Sequence, residues 1–113
     1  MRLKKIQRMW EDLKATPHPQ LSDSLEFEFR LALLDYYITW IVEEFIEHEG
    51  FLQPEMLALL RECKLTLAPL LKKLHGGKLR YFEQLLVLSG EMLRRVKVKE
   101  TCYFVQRDGE QER

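Results

Sequence analysis

Residues 24–49 read SLEFEFRLALLDYYITWIVEEFIEHE, and the fold depends on them more than on any other stretch. At 100° per residue, they place apolar side chains on almost every side of a helix. One side holds Leu25, Phe29, Ala32, Leu33, Tyr36 and Trp40. Most of the rest holds Phe27, Leu31, Leu34, Tyr37, Ile38, Ile41, Val42 and Phe45. Because such a helix is normally buried on most sides, we predict that it is the central element.

The flanking residues predict where this helix begins and ends. Residues 22–24 are N-cap types, and Asp23 with Glu26 resembles a capping box. Gly50 is a natural residue just beyond a helix C-terminus. The remaining polar stripe of the helix consists of Glu28, Asp35 and Thr39. We expect this stripe to be the solvent-exposed edge; the alternative is that Asp35 is a buried acid.

An amphipathic helix precedes the central one. Residues 2–15 carry an apolar stripe made of Leu3, Ile6, Met9, Trp10 and Leu13. Pro17 and Pro19 remove two backbone donors and restrict the residues before them, so residues 16–22 are predicted to form an extended linker. Such a linker would let the first helix dock on a second copy, as in a swapped dimer.

A third helix is predicted from Pro54, a residue suited to the first helical position, to about His75. Its apolar stripe consists of Met56, Leu59, Leu60, Cys63, Leu67, Leu70, Leu71 and Leu74. Pro69 interrupts this helix, yet the stripe keeps its phase across the proline. We therefore predict a kink there; the alternative is a separate short helix capped by Thr66.

A glycine pair at 76–77 is predicted to end that segment, and a fourth helix is predicted over residues 78–97. Its apolar stripe contains Leu79, Phe82, Leu86, Ser89, Leu93 and Val96, and its other face carries Arg80, Glu83, Gln84, Glu91, Arg94 and Arg95. Residues 101–105 are β-prone, which predicts a short strand or an ordered extended tail. Residues 107–113 are predicted to be frayed.

The predicted fold class is therefore all-α: a small bundle of about four helices with a long central helix and a short extended C-terminal tail. With 113 residues, the chain is predicted to form a single domain over residues 1–106, with a three-helix core over residues 23–99. No apolar stretch is long enough for a membrane span. Cys63 and Cys102 show no metal or disulfide spacing, so we expect reduced thiols and a cytoplasmic protein.

Charge is distributed unevenly along a chain whose formal net charge is zero. Residues 1–20 and 51–99 are basic, and residues 21–50 carry eight acidic groups against one basic group. We expect the acidic and basic segments to neutralise one another within the fold. Two basic clusters leave nucleic-acid binding as the alternative. These clusters contain Arg2, Lys4, Lys5, Arg8, Arg94, Arg95, Lys97 and Lys99.

The acidic end of the central helix is the one candidate for a metal. Glu44 and His48 are four residues apart and share a helix face, but the spacing differs from that of bundle metal sites and has no second copy. We expect a solvated helix terminus and no cofactor. Since four glutamates oppose the helix dipole there, a basic group is expected nearby. Within the fold it would come from Lys72, Lys73 or the Arg94–Arg95 pair; the alternative is that a partner supplies it.

The apolar pattern favours association with another chain over catalysis. The sequence has no nucleophile elbow, phosphate-binding loop or catalytic constellation, so we expect a non-enzymatic protein. A helix that is apolar almost all round gives more hydrophobic surface than a small bundle readily hides. Self-association, or a place as a small subunit of a larger assembly, is the predicted function; a metal- or small-molecule-binding bundle is a remote alternative. The aromatic residues predicted to bind the partner are Trp10, Phe27, Tyr37, Trp40 and Phe45.

Overall fold

The structure is a computed structural model of the chain, and it describes residues 3–22 and 25–98. Within this part of the chain lie four α-helices: α1 (Lys4–Ala15), α2 (Glu26–Glu47), α3 (Pro54–Leu70) and α4 (Gly76–Arg95). Two short strands, β1 (Phe51–Leu52) and β2 (Lys97–Val98), and a 3₁₀ turn over Leu71–Lys73 complete the described elements. The predicted all-α fold is confirmed. The β-prone residues 101–105 and the tail at 107–113 lie outside the described residues.

The core lies where α2, α3 and α4 pack against one another, while α1 packs mainly against α4. Burying one large aliphatic or aromatic side chain contributes roughly 1.5–3 kcal/mol. None of the helices in the described ranges combines the length and the apolar character that a membrane span requires. The largest completely buried side chains are Phe45, Phe82, Ile6, Leu13, Leu31, Ile38, Ile41, Leu52, Leu60, Leu67, Leu85 and Leu88.

The central helix is buried on one side only, so the prediction that it would be covered on most sides is wrong. The inner side of α2 is buried and consists of Leu31, Leu34, Ile38, Ile41, Val42 and Phe45. The opposite apolar side is exposed to solvent. The reason lies in α1, which has 12 residues and buries Ile6 and Leu13 mainly against α4. It therefore leaves the outer side of α2 uncovered.

A short parallel bridge ties the carboxyl ends of α2 and α4 together. After α2 the chain turns through Glu49 and Gly50, which have positive φ angles of 55° and 92°. The amide of Lys97 donates to the Gly50 carbonyl at 2.8 Å, and β1 then pairs with β2. Strands of two residues have no readable periodicity, so the sequence did not predict this bridge.

The boundaries around the prolines and glycines differ from those predicted. The α-helix α3 continues through Pro69 and ends at Leu70, and the chain then tightens into the 3₁₀ turn. Pro69 lies so close to the end that its missing amide affects only the last turn. Gly76 and Gly77 do not separate two helices; they form the first turn of α4, where Gly76 has a φ of 58°.

Candidate protein–protein interface

Five large apolar side chains lie exposed in line with one side of α2, four of them within the helix and Leu25 at the residue immediately before it. Their exposed fractions range from 38% to 65%, and helical spacing places them in one row with the exposed Ala32. The row is about 22 Å long at 1.5 Å per residue. Large contiguous apolar patches are rare on the surface of monomeric domains, so this row is the candidate interface. We call it the α2 outer face, and it consists of Leu25, Phe29, Ala32, Leu33, Tyr36 and Trp40.

The polar stripe of α2 faces the protein, which corrects the prediction that it is the exposed edge. The side chains of Glu28 and Asp35 are only 12% and 15% exposed. Glu28 forms an ion pair with Lys78 on α4 and accepts a hydrogen bond from the Ser22 amide at 2.7 Å. Both interactions lower the pKa of Glu28, the one with Lys78 most strongly.

Asp35 joins three parts of the molecule. Its Oδ1 accepts a hydrogen bond of 2.6 Å from the Tyr81 hydroxyl on α4, and its Oδ2 lies 2.9 Å from Nε2 of His18 in the linker. The Nδ1 atom of His18 lies 3.0 Å from the Pro19 carbonyl oxygen. Both ring nitrogens of His18 therefore face oxygen atoms, and the contact with Asp35 holds the linker against α2. Burial, and then the bond to Asp35, raises the pKa of Tyr81 well above its ordinary value.

These contacts explain which side of α2 faces solvent. The lysine, tyrosine and histidine partners of the polar stripe fix that stripe against α4 and the linker. On a helix apolar nearly all round, this rotation leaves one apolar side without a neighbour. This polar pairing orients α2, and because α1 packs mainly against α4, no helix covers the side that is left outward.

The carboxyl end of the α2 outer face is acidic. Glu43 and Glu47 continue the row beyond Trp40, and neither has an ion-pair partner among the described residues. Glu43 and Glu47 line an open groove of about 540 Å³ between α1 and α2, and Arg8 and Lys14 of α1 line the same groove. At the other end of α2, Glu28 is paired with Lys78, while Glu26 in the same turn is exposed.

One of the basic groups expected near this terminus is there, since Arg95 lines an open groove together with Glu49 and Gly50. The ammonium of Lys73 lies 5.5 Å from the centre of the Phe27 ring, at the opposite end of α2. Arg94 and Arg95 contact Glu91 on their own helix. The expectation is therefore wrong for Lys73, whereas the Arg94–Arg95 pair lies at the carboxyl end of α4, next to this terminus, with its ion pairs directed to Glu91.

The candidate metal ligands do come together, with one addition. Single ligand atoms of Glu44, Glu47 and His48 all lie within 4.8 Å of one another. Nε2 of His48 is 3.3 Å from a carboxylate oxygen of Glu44, so this pair satisfies itself. Exposed acidic groups often cluster without an ion, and nothing else at this terminus points to a ligand.

The predicted partner-binding aromatics divide into three groups. Trp40 lies on the α2 outer face and is 42% exposed, whereas Phe45 is completely buried in the core. Trp10, Phe27 and Tyr37 are half-buried. The predicted set left out the four other large members of the exposed row, although the helical wheel already placed them on the side of Trp40. The missed residues are Leu25, Phe29, Leu33 and Tyr36.

The structure brings the two basic clusters to one end of the molecule. Lys5 on α1 and Arg94 on α4 each lie 3.6 Å from carboxylate oxygens of Glu91, and Arg95 donates to Glu91 at 2.6 Å. Glu91 is therefore buried, although its place on the polar face of the predicted helix suggested exposure. The hydrogen bond from Arg95 lowers the pKa of Glu91 most, and the positive charges of Lys5, Arg95 and Arg94 lower it further.

The outer part of this basic end is accessible. Lys4, Arg95 and Lys97 line an open groove of about 460 Å³, and Lys97 lies over the Phe51 ring. Arg8 is exposed on the next turn of α1. Arg2 and Lys99, also predicted to belong to the clusters, lie outside the described residues.

Cys63 and Ser89, whose side chains are potential nucleophiles, are both buried. Burial, and then the charge of Glu62, raises the pKa of the Cys63 thiol, which favours the unreactive form. The Ser89 hydroxyl is buried and donates to the Leu85 carbonyl at 2.9 Å. Cys102 lies outside the described residues.

Comparison of the chain with protein-family models, with curated proteins and with solved structures finds no match. The class of this protein is therefore defined only by its fold and its surface. That class is a small all-α bundle whose longest helix has an uncovered apolar side.

Proposed function

We propose that this protein is a non-enzymatic protein–protein interaction module that associates through the α2 outer face. It either associates with itself or serves as a small subunit of a larger assembly, in the cytoplasm. One observation supports this proposal above all: five large apolar side chains form an uninterrupted row, while the polar stripe of the same helix is paired inside the fold.

The energetics favour covering this row. Each of the five side chains has about half of its surface in water, and removing that surface from water is worth roughly 1 kcal/mol per residue. Phe29, Tyr36 and Trp40 are also aromatic, and aromatic side chains are enriched among the residues that dominate binding energy. The row is held on a 22-residue helix whose inner side is buried, so little conformational entropy is lost on binding.

The test is a charge placed in the row. In a Leu33→Glu variant, we expect association to be lost, because binding would bury an unpaired carboxylate. Leu65→Glu is the matched control, since Leu65 is a 75% exposed leucine on α3, away from the row. Light scattering coupled to gel filtration, and affinity purification from the source organism, would measure association. A wild-type chain that is strictly monomeric at high concentration and recovers no partner contradicts the proposal.

A second candidate function is nucleic-acid association through the basic end. The convergence of the α1 and α4 clusters favours it, because phosphate contacts need basic groups on one surface. A Lys4→Glu, Lys97→Glu double variant is expected to weaken binding, and Arg61→Glu on α3 serves as the control. Titration of labelled nucleic acid at several salt concentrations measures it. If no binding occurs at low salt, this candidate function is wrong.

A further inference from the structure

We infer that the occupant of the α2 outer face is a second copy of this chain, packed with its own α2 antiparallel to the first. The inference rests on the proposed function and names the partner and its orientation. Three observations on the described residues carry it: the spacing of the exposed row, the charges at its ends and the position of α1.

The spacing of the row suits a two-fold axis. The gaps between successive members of the α2 outer face are four, three, one, three and four, so the row has the same spacing in both directions. In a two-fold interface, residue i contacts residue j and j contacts i. An axis between Ala32 and Leu33 sets Leu25 opposite Trp40 of the partner subunit. The same axis sets Phe29 opposite Tyr36 of the partner subunit.

The residues at the axis permit close approach. Ala32 is the smallest member of the α2 outer face, and it is exposed half a residue from the midpoint. Packed helices lie about 8–10 Å apart, and small side chains at the contact favour the lower end of that range. The bulkier Tyr36 and Trp40 then pack to one side of the axis, against Phe29 and Leu25 of the partner subunit.

The charges distinguish antiparallel from parallel packing. Glu43 and Glu47 lie in line with the row at its carboxyl end and have no ion-pair partner among the described residues. A parallel second copy would bring four such carboxylates together. An antiparallel copy instead sets them beside the amino-terminal end of α2, where the helix dipole is positive and where Glu26 is the one exposed carboxylate of the first turn. Arg30, the one cationic side chain within α2, also lies in that amino-terminal half.

The position of α1 argues against a swapped first helix as the occupant. The apolar side of α1 is already used, since Ile6 and Leu13 are buried almost completely in the core. The linker that follows is fixed to α2 by the contact between His18 and Asp35. Release of α1 to cover the α2 outer face of a second copy would expose the core surface that Ile6 and Leu13 now bury. A second α2 is therefore the better occupant.

The size of the surface sets the strength of the dimer. Stable interfaces bury about 800 Å² on each partner, and one helix side of about 22 Å supplies less than that. We therefore expect a reversible dimer that forms as concentration rises. A dimer of this kind appears as a concentration-dependent mass in light scattering.

Disulfide trapping tests the orientation in the full-length chain, with Cys102→Ser removing the second cysteine. A disulfide requires Cα atoms within about 7 Å. In the antiparallel pair, the two copies of residue 32 lie next to the axis, whereas the two copies of residue 25 lie about 22 Å apart along it. We expect Ala32→Cys to form a linked dimer by itself. Leu25→Cys should link only when mixed with Trp40→Cys, and Leu65→Cys controls for random collisions.

The outcomes separate the inference from the proposed function. Self-linking of Leu25→Cys as efficient as that of Ala32→Cys means parallel packing and overturns the inference. Another outcome is that Ala32→Cys links no better than Leu65→Cys while Leu33→Glu still abolishes capture of a different protein. In that case the inference that a second copy occupies the α2 outer face is wrong, and the proposed function stands. Loss of the Ala32→Cys link on addition of Leu33→Glu supports both.

Discussion

Asp35 shows at the scale of one residue how a polar group determines which side of a helix is exposed. Its two carboxylate oxygens contact Tyr81 and His18, which lie 46 residues after it and 17 residues before it in the chain. Tyr81 is itself buried, so its hydroxyl depends on this acceptor. The orientation of α2 follows from these contacts, and the exposure of the α2 outer face follows from the orientation.

We predict that Asp35→Ala lowers the free energy of unfolding by about 1–3 kcal/mol, because the buried Tyr81 hydroxyl then loses its acceptor. Adding Tyr81→Phe removes the unsatisfied hydroxyl, so the double variant should be more stable than the sum of the single effects indicates. Urea unfolding followed by circular dichroism measures all three variants. Strict additivity would mean that the Asp35–Tyr81 bond contributes nothing.

Glu91 supplies a prediction about pH. Its pKa is lowered from 4.5, mainly by the hydrogen bond from Arg95, so the carboxyl holds its proton more weakly in the folded protein than in the unfolded chain. Its contribution to stability is therefore present above the ordinary glutamate pKa and is lost as the pH falls through the lowered value. We expect Glu91→Gln to be less stable than wild type at pH 7 and to lose less stability on acidification.

The control for Glu91 is Glu83, an exposed glutamate on the same helix without an ion pair among the described residues. Denaturant unfolding at pH 7, 5, 4 and 3 compares Glu91→Gln, Glu83→Gln and wild type. Glu28 also has a lowered pKa, so some dependence on acid remains in every variant. Equal slopes for Glu91→Gln and wild type would show that Glu91 does not contribute.

At the scale of elements, the sequence predicts which segments are helical better than it predicts which sides of them are buried. The spacing of apolar residues predicts the four helices, because helical period is a local property. The exposed side of α2 is not local, since it depends on Lys78 and Tyr81 in α4. Phe45 and Trp40 illustrate this limit: both are aromatic residues on one helix, yet one is core and the other is surface.

This contrast can be measured. We predict that Phe45→Ala lowers the free energy of unfolding by about 3–5 kcal/mol, because it leaves a cavity in the core. Trp40→Ala should cost far less stability, since Trp40 is 42% exposed, but it should weaken self-association. Thermal unfolding and concentration-dependent light scattering give the two quantities. A Trp40→Ala variant that unfolds as readily as Phe45→Ala would place Trp40 in the core.

At the scale of the whole molecule, the charges are only partly compensated. The acidic middle of the chain pairs inward at Glu28 and Asp35, as the expectation of self-compensation requires. The carboxyl end of α2 stays acidic, and Lys4 and Lys97 leave a basic surface at the adjoining ends of α1 and β2. The apolar row and the basic end are separate surfaces, so the two candidate functions respond differently to salt.

We predict that self-association persists when salt is raised, because it depends on apolar burial, which screening does not weaken. Nucleic-acid binding through the basic end would instead fall steeply, by about 0.9 in log K per phosphate contact for each unit of log salt concentration. Light scattering of wild type in low and high salt, with Leu33→Glu as the monomeric reference, measures the first. A dimer that dissociates in high salt would show that charge drives association, and the α2 outer face would then not be its interface.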